Sequence, residues 1–172
     1  MNNYIALLRA VNAGDTRRRP KTDLKSLCET AGFVKVRTCI ASGNVVVESE
    51  MSEAQVKSAL EASLEEYAGK PIGVLVRTGD EMAEVLGANP FPNAAPNQTV
   101  AIFLDEAPPT DTLDKIAGRN GEEIQLGKRE IYVHFAGGMA DSNLKIPIAK
   151  AGTVRNMNTV AKLAEMAAKS EL

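Results

Sequence analysis

Between Tyr4 and Val76 the spacing of apolar residues alternates between two periods, and the order of the changes narrows the fold more than any other feature. Tyr4 to Leu8 is a short apolar run that reads as a buried strand. Leu24, Leu27, Cys28 and Ala31 then recur at helical spacing, with Thr22 as an expected N-cap and Gly32 as the stop. Val34, Val36, Thr38 and Ile40 alternate with more polar residues, which is strand periodicity. Ser42-Gly43-Asn44 reads as a turn, and Val45 to Val47 resumes the strand pattern, so a hairpin is expected. Ser52 and Gln55 form a capping-box pattern ahead of the stripe Val56, Ala59, Leu60, Leu64 and Tyr67. Gly69 and Pro71 end that helix, and Ile72 to Val76 is the next strand.

Strand, helix, strand, strand, helix, strand is the split βαβ order of a ferredoxin-like subdomain, a four-stranded sheet under two helices. A short helix from about Asp80 to Leu86 follows. Three prolines within Asn89 to Asn97 then exclude regular structure. The expected division is therefore residues 1–88, a Pro-rich linker at 89–97, and a second α+β subdomain at 98–172. In that second part Thr99 to Leu104 reads as a strand, and Leu113, Ile116 and Ala117 as a short helix ending at Gly118. Ile124 to Leu126 and Ile131 to Phe135 flank a turn at Gly127 to Glu130. Asp141 to Ala149 is expected to be partly helical. A final helix should run from about Met157 to Lys169, capped by Asn156 or Asn158, with Val160, Leu163, Ala164 and Ala167 buried. The second half thus echoes the first without a residue-level repeat, as strand, helix, strand, strand, helix, helix. The fold class expected is α+β, with two similar subdomains.

The bulk properties remove several functions. A chain of 172 residues with 44% hydrophobic content can bury a core without disulfides or metals. The net charge of −2 provides no global attraction to nucleic acid or an anionic membrane. No apolar run approaches the roughly 18–20 residues that cross a bilayer, and Met1 to Ala10 lacks the pattern of a signal peptide. A cytoplasmic location without membrane contact is expected. Cys28 and Cys39 are not a close-spaced pair and His134 is the single histidine, so no metal site is expected.

Three segments carry a resemblance: Ala6–Gly14 (ALLRAVNAG), Gly32–Val46 (GFVKVRTCIASGNVV) and Thr153–Leu163 (TVRNMNTVAKL). Together they resemble the bacterial domain-of-unknown-function family numbered 1697, over nearly the whole chain. Asn89-Pro90-Phe91 and Ser142-Asn143-Leu144 fall where that family has similar short motifs. The resemblance implies a bacterial-type protein of two α+β subdomains and brings no activity with it. The chain departs from the family pattern at Ala10 (usually glycine), at Cys39 and Met157 (often aromatic) and at Asn143 (lysine). Lys145 is the neighbouring positive charge, offset from the family lysine's position.

No catalytic constellation is recognisable. A nucleophile needs an adjacent base oriented by a third group. His134 alternates with Ile131, Val133 and Phe135 as a strand residue on the wetter face, and Cys39 has no base nearby in sequence. Gly137-Gly138 is too short for a phosphate-binding fingerprint, and the acidic pairs Asp105-Glu106 and Glu122-Glu123 point to opposite sides of an extended chain. No cofactor is expected.

The polar residues that stand out are Arg9, Asn12, Ser42, Asn44, Arg155 and Asn156. Arginine suits bidentate contact with phosphate or carboxylate, a tight polar turn can present backbone N–H groups to an anion, and a helix start favours negative charge. The functional expectation is non-catalytic binding of a small anionic ligand by these six residues, in a cleft between the subdomains. The bland alternatives are a hairpin turn at 42–44, a helix cap at Asn156 and a solvated loop at Arg17 to Arg19. Two other readings remain open. A nucleic-acid-binding module is the weaker one, because no strand carries the expected aromatic pair and the isoelectric point is near 5.6. The other is an assembly protein acting through its sheet edges.

Overall fold

In a computed structural model, residues 2–9, 21–38, 44–68, 72–95, 98–119, 121–135 and 143–169 are described. The chain forms two compact units, residues 1–83 with 162–172, and residues 84–161. The changes from one unit to the other fall within helices 79–87 and 157–169, whereas the sequence reading placed its linker at 89–97. Residues 88–95 hold no helix or strand, in keeping with their prolines.

The first unit contains strands β1 (Asn2–Leu8), β2 (Val34–Thr38), β3 (Asn44–Ser49) and β4 (Val74–Thr78), with helices α1 (Lys21–Thr30), α2 (Glu53–Ala68) and the start of α3 (Gly79–Gly87). Its sheet order is β2-β3-β1-β4, every neighbouring pair antiparallel, as the split βαβ order requires. Tyr4, Ala6 and Leu8 of β1 meet Val45 and Val47 of β3 and Val74 and Val76 of β4 in one apolar cluster. Cys28 of α1 and Val56, Leu60 and Leu64 of α2 close that cluster. Burying each large aliphatic side chain contributes roughly 1.5–3 kcal/mol.

Local signals place these helices. Ser52 N–H donates to Gln55 Oε1 at 2.9 Å and Gln55 N–H to Ser52 Oγ at 3.2 Å, so the capping box ahead of α2 is formed. Gly32 has φ +101°, the left-handed turn that stops α1. Thr22, expected as the N-cap, lies within α1, one residue past its start. Tyr67 is 46% exposed, so the buried stripe of α2 ends at Leu64. The strand expected at Ile72–Val76 sits two residues later. Thr78 and Glu81 then cap α3 reciprocally at 2.9 and 3.1 Å, a box the sequence reading missed.

The alternate residues of the first sheet face the other way. Ile5, Leu7, Val46 and Leu75 are buried there, and the C-terminal helix α4 (Met157–Lys169) reaches this face through its last turns. Asn3 Nδ2 donates to Ala167 O at 3.0 Å and Arg37 Nη1 to Met166 O at 2.6 Å, satisfying carbonyls at the helix end.

The second unit contains β5 (Thr99–Phe103), β6 (Glu123–Leu126), β7 (Glu130–His134) and β8 (Thr153–Asn156), in the order β6-β7-β5-β8. This is the order of the first sheet with the same antiparallel pairings. Val100, Ile102, Leu104, Ile131, Val133, Phe135 and Ile146 form its core. Where the first unit has α1 and α2, this one has 3₁₀ turns, Thr112–Lys115 and Pro147–Ala151. The short helix expected around Leu113 is therefore one 3₁₀ turn, with Thr112 buried and Leu113 44% exposed. The partly helical stretch expected at 141–149 is the second turn, at 147–151. β8 is a strand the sequence reading took as the approach to the last helix, and it completes the second sheet.

Leu64→Ala should destabilise the chain by about 2–5 kcal/mol and Ser52→Ala by about 1 kcal/mol in urea unfolding. Burial, with a smaller contribution from Glu29, pushes the Cys28 thiol up to about 12. In a Cys39→Ser variant, Cys28 should therefore react with a thiol reagent at pH 8 only at the rate of unfolding.

Candidate functional site

The end of β1 is built from register. β1 runs antiparallel to β3 and β4, so Arg9, Asn44 and Val74 lie at one end of the first sheet, and Thr38 of β2 pairs beside them with Val45. Arg9 continues the ladder, its N–H donating to Gly73 O at 2.8 Å. Asn44 pairs opposite Leu7, and Arg9 is two residues beyond Leu7, so Arg9 and Asn44 share a sheet face. Asn44 is buried and begins β3, whereas the sequence reading put it in the turn.

The Arg9 side chain is exposed, and its stem lies against Gly73. A Cβ at Gly73 would sit 2.6 Å from Arg9 Cδ and 3.3 Å from Cγ. The absence of a side chain at residue 73 is thus what lets the arginine take this course. Asn12 and Ser42 lie outside the described residues, as do Cys39, the arginine run at 17–19 and Gly137-Gly138.

Arg155 and Asn156 belong to the second unit, at the end of β8. They are adjacent yet face opposite ways: Arg155 pairs with Ala101, and Asn156 with Val100 of the core face. Arg155 Nη1 donates to Thr153 Oγ1 at 2.7 Å and to Val154 O at 2.9 Å. Burial lowers its pKa to about 10, which leaves the guanidinium charged at neutral pH. Asn156 Oδ1 accepts the Thr159 N–H at 2.9 Å and so caps α4. Of the six expected residues, the described ones therefore group as Arg9 with Asn44 in one unit, and Arg155 with Asn156 in the other.

Three other places hold titratable or concave features. His134 Nδ1 lies 3.6 Å from Glu123 Oε1, and its ring centroid is 5.9 Å from that of Phe91. Tyr132 donates its hydroxyl to Val85 O at 2.9 Å, and burial followed by the nearby Glu130 and Glu84 raises its pKa to about 12. A cavity of about 260 Å³ is lined by Pro109, Asp111, Thr112, Lys115, Pro147 and Ile148, with Lys115 Nζ paired to Asp111 Oδ2 at 3.2 Å. The cavity is slightly smaller than most ligand pockets, which run from roughly 300 Å³ upward. Among the described residues, none of those expected at the site (Arg9, Asn44, Arg155, Asn156) lines it. The sequence reading missed it because the two turns that wall it are more than 30 residues apart in the chain. Among the described residues, no group of three or more His, Cys, Asp or Glu side chains could hold a metal ion, and no helix is long and apolar enough to cross a membrane.

The structure is similar to a solved structure titled as that of conserved bacterial protein SP0830 from Streptococcus pneumoniae, with a TM-score of 0.79. The likeness covers 96% of this chain and 98% of the other at 21% identity, and it shows a shared fold. No curated protein matches the chain. Residues 1–132, well over half of the sequence, match the family described as protein of unknown function (DUF1697), and the chain belongs to that family.

Proposed function

We propose that this chain binds a small anionic ligand, bearing phosphate or carboxylate, at the Arg9 end of the first sheet. The observation that carries this reading is the placement of Arg9. Its side chain is seated over Gly73, the residue as a whole is exposed, and Asn44 shares its face. A guanidinium offers paired donors that match two oxygens of a phosphate or carboxylate, and a seated stem loses less freedom on binding than a free one. An amide such as that of Asn44 can donate to a further oxygen. Asn12 and Ser42 are joined to this end by short stretches of chain and complete the proposed set. Arg155 and Asn156 make a lesser contribution in this reading, since one already donates to its own strand and the other caps a helix. The proposed role is binding without catalysis.

Titration with inorganic phosphate, then with a panel of nucleotides and small carboxylates, should raise the unfolding temperature saturably. Arg9→Ala should weaken that binding about 10- to 100-fold, the loss expected for a charge-assisted hydrogen-bonding group. Gly73→Ala should weaken it as well, because the new methyl group displaces the Arg9 stem. Lys128→Ala, an exposed change in the second unit, should leave binding unaltered. Absence of a saturable shift with every anion, or unchanged affinity in Arg9→Ala, would contradict the reading.

A further inference from the structure

The four edge strands of the two sheets share a feature that the fold does not require. In the first sheet the edges are β2 and β4, and in the second they are β6 and β8. An edge strand leaves a row of backbone N–H and C=O groups able to pair with a strand of another molecule. At or beside each of these four edges, an arginine donates to a backbone carbonyl of that same stretch of chain. Arg37 Nε reaches Lys35 O at 3.4 Å on β2. Arg77 Nη1 reaches Val76 O at 3.0 Å on β4. Arg119 Nε reaches Glu122 O at 2.8 Å, immediately before β6. Arg155 Nη1 reaches Val154 O at 2.9 Å on β8.

On β4 the closure goes further. The ladder contact from Arg9 N–H to Gly73 O fixes the parity of the strand, so Gly73, Leu75 and Arg77 pair toward β1. Val74, Val76 and Thr78 then turn their backbone groups outward. Val74 N–H donates to Glu61 Oε2 at 3.0 Å, and Val74 O accepts from Lys57 Nζ. Val76 O accepts from Arg77, and Thr78 N–H donates to Glu81 Oε1. Four outward groups of one edge are therefore occupied by side chains. On β8 the parity is the same: Phe135 N–H to Gln98 O and Leu104 N–H to Arg129 O set the alternation of β5, which turns Ala101 and Phe103 toward β8 and Val154 outward. β2 carries a second device. Its register shifts between Val34 and Arg37, and Lys35 sits at φ 49°, so the strand is bulged.

We propose that these arginines are edge guards that close both sheets to a strand from a second copy of this chain. A strand that docked on such an edge would have to displace a charge-assisted hydrogen bond. Two copies meeting edge to edge would also bring like charges together across the new pair. The guards thus favour the monomer and set this chain apart from proteins that assemble through their sheet edges.

Arg77 is 1% exposed and its replacement endangers folding, so the informative variant is Arg119→Met with Arg155→Met. By light scattering the unaltered chain should hold the monomer mass, 18.3 kDa, across concentration. The double variant should shift toward twice that mass or form thioflavin-positive aggregates sooner. Val133→Ala, a core change that lowers stability and leaves the edges intact, is the control for destabilisation alone. The proposal is overturned if the unaltered chain is already a dimer paired through β2, β4, β6 or β8. It is equally overturned if the double variant stays monomeric and aggregates no faster than Val133→Ala.

Discussion

Both units depend on a central strand that is buried on its two faces. In β1, Tyr4 through Leu8 are all at most 5% exposed, and in β5 Thr99 through Phe103 are likewise buried. Because successive side chains in a strand point to opposite faces, this single fact assigns every neighbour. Tyr4, Ala6 and Leu8 go to the core beneath α1 and α2, while Ile5 and Leu7 go to the face reached by the end of α4. The pairings with β3 and β4 then carry Val45, Val47, Val74 and Val76 to the first face, and Val46 and Leu75 to the second. A slip of β1 by one residue would exchange its two sets and bring Asn3 and Arg9 to the core side. The same parity brings Arg9 and Asn44 together, so the candidate site is a consequence of the register that builds the core.

The second unit repeats this logic at lower helical cost. β5, β7 and β8 align with β1, β3 and β4 so that Ile5 corresponds to Ala101, Val46 to Tyr132 and Arg77 to Arg155. Each terminal strand ends in Val-Arg followed by a capping residue. Thr78 caps α3 and Asn156 caps α4. The counterpart of Arg155 in the first unit is thus an arginine with the same contact to the preceding carbonyl. That correspondence gives Arg155 and Asn156 a structural occupation shared by both units. Arg9 is different, since the corresponding position in the second unit is Asp105, two residues beyond Phe103. The two units therefore carry opposite charges at this position.

Much of the fold was legible because its signals are local. The run Tyr4 to Leu8, the Ser52–Gln55 box, the glycine stop at Gly32 and the stripe Val160, Leu163, Ala167 each announce an element without help from the rest of the chain. β8 was not legible, because Thr-Val-Arg-Asn holds one apolar residue and passes into a helix without a turn. Only pairing with β5 makes it a strand. Leu113 is exposed where its spacing put it on the apolar face, because a 3₁₀ turn does not follow the 3.6-residue period. The candidate site divided in the same way. Arg9 was visible as the polar end of an apolar run, and Asn156 as a cap. The seat at Gly73 depends on β1 meeting β4, and the guards on the outward parity of edge strands, neither of which any spacing in the sequence encodes.

Native-state hydrogen exchange tests the central claim, that each unit is held by a strand buried on both faces, most directly. Amides of Ile5 to Leu7 in β1 and of Ala101 to Phe103 in β5 should exchange last in their units, with opening free energies equal to that of global unfolding. Those of β2 and β6 should exchange earlier through local opening. If the amides of β1 or β5 exchanged as fast as those of the edge strands beside them, the register-based account of both the core and the candidate site would be contradicted.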